Sequence, residues 1–256
     1  MKRAISVVSG VFLLSFILSN FSLAGVAPNE IVLYWSFDDP DDDGEQSTDI
    51  SDHGHNGVVT AGELVEGKYG NCLKFDGVAT FIELAHHDDF NLPDGYTIAE
   101  WAMIDDIPMD HIGIPRKEGS YILHPSKVGD GYNFHTYIYT PGSTKLVHGD
   151  VVDFGDWHYL AATFDGATAR SWIDGEVIVE MPVAGKAATT PDVPLRWSND
   201  CCGGRMLNGI LDEIIIVNRA VDEGEMKELI QAGSKAVLAV DANGKLARLW
   251  GEIRSR

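Results

Sequence analysis

Three features of the sequence predict an all-β fold. Short runs rich in Val, Ile, Tyr, Phe and Trp recur along the chain and are closed by Gly and Asp turn signals. The helical spacing that a crossover α/β fold needs between such runs is missing until residue 222. One run near the C-terminal end, residues 208–220, is apolar on both faces, as suits a central strand covered on both sides. Together these describe a two-sheet sandwich or a barrel.

The first 24 residues stand apart. Met1-Lys2-Arg3 gives a positive start, residues 7–18 are apolar apart from Ser and Gly, and Ser22-Leu23-Ala24 places small residues where a signal peptidase reads. The apolar stretch is shorter than the roughly 20 residues of a membrane span. Residues 1–24 therefore read as a cleaved signal peptide, with no membrane insertion afterwards and a secreted, periplasmic or cell-surface location. Val26 stands where a lipoprotein box would carry its cysteine. Loss of Lys2 and Arg3 with the leader takes the formal charge from −20 to −22. So acidic a surface repels phosphate backbones, which argues against nucleic acid and anionic membrane as partners, and it suits plain solubility or divalent cations. Cys72, Cys201 and Cys202 allow one intramolecular disulfide, Cys72 with either neighbour being the ordinary pairing and Cys201–Cys202 a strained one.

Strands are expected, in order, at residues 31–37, 72–76 and 80–84 about a turn at Gly77, and 96–104 after Pro93-Asp94-Gly95. Further strands are expected at 121–124, 132–139, 145–152, 157–164 and 169–173 (each of the last two closed by Asp-Gly), 177–183, 195–198 and the closing run. Residues 38–56 read as a polar, acidic loop. One helix is expected: Asp222 caps it, Glu225 sits three residues on, Met226, Leu229 and Ile230 follow at helical spacing, and Gly233 closes it. A hairpin over 236–253, turning at Asp241-Ala242-Asn243-Gly244, would complete the chain.

Several segments in this order resemble the laminin G-like, concanavalin A-like domain of exported bacterial proteins. They are Tyr34-Trp35-Ser36-Phe37-Asp38, Asp49 to Gly57, Leu73-Lys74-Phe75-Asp76-Gly77, Thr97-Ile98-Ala99-Glu100-Trp101, Trp157 to Gly166, Trp172-Ile173-Asp174-Gly175, and the closing Gly209 to Ala220. The resemblance implies a two-sheet antiparallel jelly-roll sandwich with one short C-terminal helix and a terminal hairpin. The domain would span 28–233 and the hairpin tail 234–256. Its first and last strands would lie side by side, bringing Asp38 near Asp212.

The same resemblance implies a structural calcium ion with Asp38 and Asp212 as ligands and Asn56 and Asp76 beside them. Calcium takes six to eight hard oxygens, which two carboxylates and loop carbonyls can supply. The alternative is that Asp212 pairs with Arg219 or accepts backbone donors. Asp39, Asp41 and Asp43 before Gly44 look like the start of a calcium loop, but Ile50 stands where the bidentate Glu is needed, so a solvated insertion is expected there. The histidines at 53, 55, 86 and 87 read as surface or capping residues.

Some glucanases of this fold carry a carboxylate pair at E-x-D-x-E spacing. Glu100 with Asp105, and Asp174 with Glu176, do not meet that pattern, and Asp212 and Glu213 should fall on opposite faces of their strand. A noncatalytic module is therefore expected, not an enzyme. Along 132–139, His135, Tyr137 and Tyr139 share one face while Tyr132, Phe134 and Ile138 share the other. The more polar set is the candidate site for stacking a sugar ring, against the plainer reading of strand aromatics in a sandwich. The partner is expected to be a glycan or an extracellular protein.

Overall fold

The structure, a computed structural model, describes residues 25–109, 111–141, 143–199 and 204–240. The expected signal peptide, Cys201, Cys202 and residues 241–256 of the tail lie outside them. Among the described residues, sixteen strands form two antiparallel sheets. The first runs β14 (Glu176–Pro182), β13 (Thr168–Ile173), β12 (Trp157–Phe164), β7 (Tyr96–Asp106), β16 (Asn208–Val217), β5 (Asn71–Asp76), β4 (Glu63–Glu66), with β1 (Ile31–Trp35) also paired to β16. The second runs β11 (Ser143–Asp153), β10 (Gly131–Thr140), β9 (Tyr121–Val128), β8 (Gly113–Lys117), β15 (Leu195–Ser198), β6 (Phe81–Leu84), β3 (Gly57–Thr60), β2 (Gln46–Ser47). This is the expected jelly-roll sandwich.

Large side chains fill the space between the sheets. Trp35, Phe75, Tyr96, Phe134, Phe164 and Trp197 are all buried there, with the Trp35 and Trp197 rings 4.8 Å apart. A second apolar layer covers the outer face of the first sheet, where Tyr34, Trp101, Tyr159, Ile215 and Val217 meet Met226, Leu229 and Ile230 of α1 (Glu223–Val240). The helix starts as its sequence requires: Asp222 Oδ1 accepts from the Glu225 amide and Glu225 Oε2 accepts from the Asp222 amide, both at 2.9 Å. It does not stop at Gly233. Good helix formers follow that glycine, and the helix runs on to Val240, so residues 236–240 are helical and not the first arm of a hairpin.

Two further expectations are corrected here. Arg219 does not pair with Asp212. It grips Glu30 through Nε and Nη2 at 2.8 and 2.9 Å, and Glu225 through Nη1 and Nη2 at 2.8 Å each. It thereby ties the segment before β1 to the first turn of α1. Cys72 is a free, fully buried thiol 3.6 Å from the Glu66 carbonyl, so the expected bridge from it is not formed. Burial, with the nearby Asp212 and Asp38 charges, pushes that thiol up to about 12.

Candidate functional site

Strand β10 divides its side chains as its alternation predicts. Tyr132, Phe134 and Ile138 enter the core, which leaves His135, Tyr137 and Tyr139 on the outer face of the second sheet. The register sets Ile122 of β9 opposite Tyr137 and His124 opposite His135. The outward rings then stack nearly parallel. His124 lies 5.1 Å from His111, 5.1 Å from His135 and 4.9 Å from Tyr137, at interplanar angles of 16°, 17° and 15°. Tyr137 and Tyr139 follow at 6.4 Å. Between them lies a cleft of ≈ 170 Å³ lined by His111, Arg116, Ile122, His124, Tyr137, Tyr139 and Arg205. Burial, with the neighbouring His135 and His111, pushes His124 down to about 3, so its imidazole is neutral at physiological pH. His135 backs the stack, buried and bonded to Asn133, and is not part of the cleft lining.

The second feature lies where β16 changes partner. Its residues 208–211 pair with β5, and 214–217 pair with β1. Between them the register against β7 shifts, and Glu213 takes a left-handed φ of 53°, the mark of a bulge. The extra residue resets the alternation. Leu211, Ile214 and Ile216 face the core together, while Ile215 and Val217 face the α1 layer. The expected opposition of Asp212 and Glu213 is therefore overturned. Both acids lie by the α1 layer: Glu213 accepts a hydrogen bond from the Tyr34 hydroxyl, and Asp212 Oδ2 accepts from the Tyr69 amide at 2.9 Å.

Asp38 reaches the same place from beyond β1, its Oδ1 accepting from the Asn71 amide at 2.7 Å. The turn joining β4 to β5 runs between the two carboxylates, with glycine at both contacts. A Cβ on Gly67 would lie 2.7 Å from Asp212 Oδ2, and one on Gly70 2.1 Å from Asp38 Oδ1. Asp212 is fully buried, and among the described residues its Oδ1 has no hydrogen-bond partner. Burial, opposed by the Tyr69 amide and reinforced by Glu213 and Asp38, pushes its carboxyl up to about 8. Asn56 and Asp76 do not join this group. Asn56 Oδ1 is held by the Asp49 amide at 2.9 Å, at the start of a strand in the other sheet. Asp76 pairs with Asn208, four residues from Asp212 and so about 13 Å along the strand. Its Oδ1 already accepts from the amides of Val78, Ala79 and Thr80.

Comparison with known families gives a match over residues 76–227, more than half of the chain, to the concanavalin A-like lectin/glucanases superfamily (Laminin_G_3). The chain belongs to this superfamily. A search of curated protein sequences finds no significant relative. Among solved structures, this member is similar to the binding domain of Paraclostridial Mosquitocidal Protein 1 (TM-score 0.62, 13% identity), covering 79% of this chain and 52% of that one. It is similar to domain 4 of AbnA, an extracellular arabinanase from Geobacillus stearothermophilus, in complex with arabinotriose (TM-score 0.59, 15% identity, 78% and 98% covered). It is also similar to the binding domain of botulinum neurotoxin DC in complex with SialylT (TM-score 0.60, 11% identity, 80% and 52% covered). The chain spans about half the length of the two toxin domains. These likenesses are of fold, and all three neighbours are binding domains or a domain bound to sugar.

Glu100, Asp174 and the acids of the loop after β1 have structural partners in this superfamily member. Glu100 points into the core, where its Oε2 accepts from the Trp197 indole at 3.0 Å, and burial pushes it up to about 8. Asp174 holds His158 at 2.9 Å and the Tyr159 amide at 2.8 Å. In the acidic loop, Asp39, Asp42 and Asp43 accept backbone amides of the loop itself, as in a self-capped turn. The sequence reading missed His111, Arg116, His124 and Arg205. Outward alternation along β9 pointed to His124, but Arg116 and Arg205 reach the cleft only through strand order and loop packing.

Proposed function

We propose that this chain is an exported, noncatalytic carbohydrate-binding module that takes a sugar ring in the cleft beside Tyr137 and Tyr139. The observation that carries this reading is the parallel ring stack bordering a cleft that also presents two guanidinium groups. A pyranose or furanose offers a face of C–H groups to an aromatic plane and a rim of hydroxyls to Arg and His nitrogens. At ≈ 170 Å³ the cleft is smaller than the ~300–1,000 Å³ of pockets that enclose a drug-sized ligand. It suits one ring, with the rest of a glycan outside. The sugar complexes of AbnA domain 4 and of the botulinum neurotoxin DC binding domain support the same class of partner, and the signal-peptide pattern of residues 1–24 supports export.

We propose in addition that a calcium ion sits between Asp38 and Asp212, with Glu213 beside them. The buried Asp212 oxygen without a partner fits a hard cation, as does the negative charge of Glu213 and Asp38 felt at that carboxyl. Bound there, calcium would supply only charge neutralisation and a tie between β1, the β4–β5 turn and β16. A glycan array probed with the full chain, with and without chelator, tests both proposals. Glycan signal supports the module reading, and its loss in chelator couples the cation to the site. Absence of any glycan signal, with capture of extracellular proteins instead, would replace it with an adhesive protein-interaction role.

A further inference from the structure

We propose that His53, His55 and Asp89 form a binding site for a zinc-class divalent transition metal, with the fourth position left open beside His87. This cluster lies on neither the cleft nor the Asp212 junction. His53 Nδ1 and His55 Nε2 approach Asp89 Oδ2 at 2.8 and 2.9 Å, and His87 Nδ1 approaches the same oxygen at 3.2 Å. The first three ligand atoms all lie within 4.8 Å of one another. Zinc bonds of about 2.0–2.2 Å set the edges of a tetrahedron at about 3.3 Å, so the distance of each His nitrogen from the Asp89 oxygen need grow only a few tenths of an ångström. The metal replaces two imidazole–carboxylate hydrogen bonds. Imidazole nitrogens with one carboxylate select zinc, copper or nickel over calcium, which needs many oxygens.

The ligands are held in place before any metal arrives. The His55 amide donates to Asp49 Oδ2 at 2.7 Å, and its carbonyl accepts from the Trp35 indole at 3.1 Å. Its ring rests 4.6 Å from that of the fully buried Phe90, one residue beyond Asp89. His53 and His55 come from the loop between β2 and β3, while His87 and Asp89 come from the segment that crosses from β6 to β7. A metal here pins that crossing segment to the loop of the second sheet.

The test is calorimetric titration of Zn²⁺ into the chelator-stripped full chain carrying no polyhistidine tag, repeated with His53→Ala and Asp89→Asn. His53 is exposed, so its substitution spares the core. We expect one saturable Zn²⁺ site per chain, a raised melting temperature with Zn²⁺, and affinity lowered about tenfold or more in each variant. Asp212→Asn should keep the site. Absence of saturable Zn²⁺ binding, or binding that His53→Ala and Asp89→Asn leave unchanged, would overturn the proposal.

Discussion

Replacing Glu100 by Gln should flatten the alkaline limb of the stability profile. Glu100 has no exposed surface, one oxygen bonded to the Trp197 indole and the other without a partner among the described residues. Its carboxyl is pushed from 4.5 up to about 8 by burial. A raised folded-state value means that the native protein keeps a proton that the unfolded chain releases. The contribution is therefore fully present below about pH 4.5 and is lost as pH rises through about 8. At 1.36 kcal/mol per tenfold change, the loss reaches about 5 kcal/mol. That is a large share of the ~5–15 kcal/mol that stabilises a typical domain. The Gln amide keeps an acceptor for Trp197 and cannot ionise. Urea unfolding followed by tryptophan fluorescence from about pH 4 to about pH 9 supplies the comparison. The variant should gain on the parent steadily across that range, while Asp212, common to both, cancels in the difference. A difference that stays constant with pH would refute the assignment of Glu100 as a buried, neutral acid.

Other expectations follow from single contacts. With calcium at about a hundred times its Kd, chelator should lower the melting temperature by several degrees, and Asp212→Asn should abolish the difference; an unchanged melting curve in chelator speaks against the metal. Arg219→Ala should cost about 1–3 kcal/mol in urea unfolding, because two partly exposed carboxylates, Glu30 and Glu225, lose one shared fork; a cost below a few tenths would show the clasp to be idle. Gly70→Ala should destabilise by about 1–2 kcal/mol, since its φ of 56° is left-handed and its new Cβ meets Asp38; a neutral effect would argue against the tight turn between the acids.

The periodic signals were legible and the register was not. Residues 157–164 and 195–198 form strands with the bounds the sequence expects, the first closed by Asp165-Gly166. Strand β8 was hidden by its Pro115, Arg116 and Lys117, which argue against a buried strand when read alone. Lys117 is nonetheless fully buried, its Nζ bonded to the carbonyls of Thr190 and Val193 at 3.2 and 2.9 Å and to His86 at 3.1 Å. The bulge at Glu213 was invisible for a related reason. One added residue leaves composition untouched and inverts every face beyond it. Asp38 and Asp212 were paired through the family pattern, and the structure brings both to one turn. Asn56 and Asp76 share that pattern but serve as local caps. The face holding Tyr137 and Tyr139 followed from alternation alone, whereas the convergence of His53, His55 and Asp89 depends on two segments more than thirty residues apart.

The central claim is that the ring-stacked cleft on the second sheet binds sugar. Its most direct test is a glycan array probed in parallel with the parent chain and with Tyr137→Ala, followed by titration of the strongest ligand. The parent should retain at least one glycan class, and Tyr137→Ala should weaken it about tenfold at an unchanged melting temperature. Glycan binding of equal strength in both proteins, or in neither, would contradict the account.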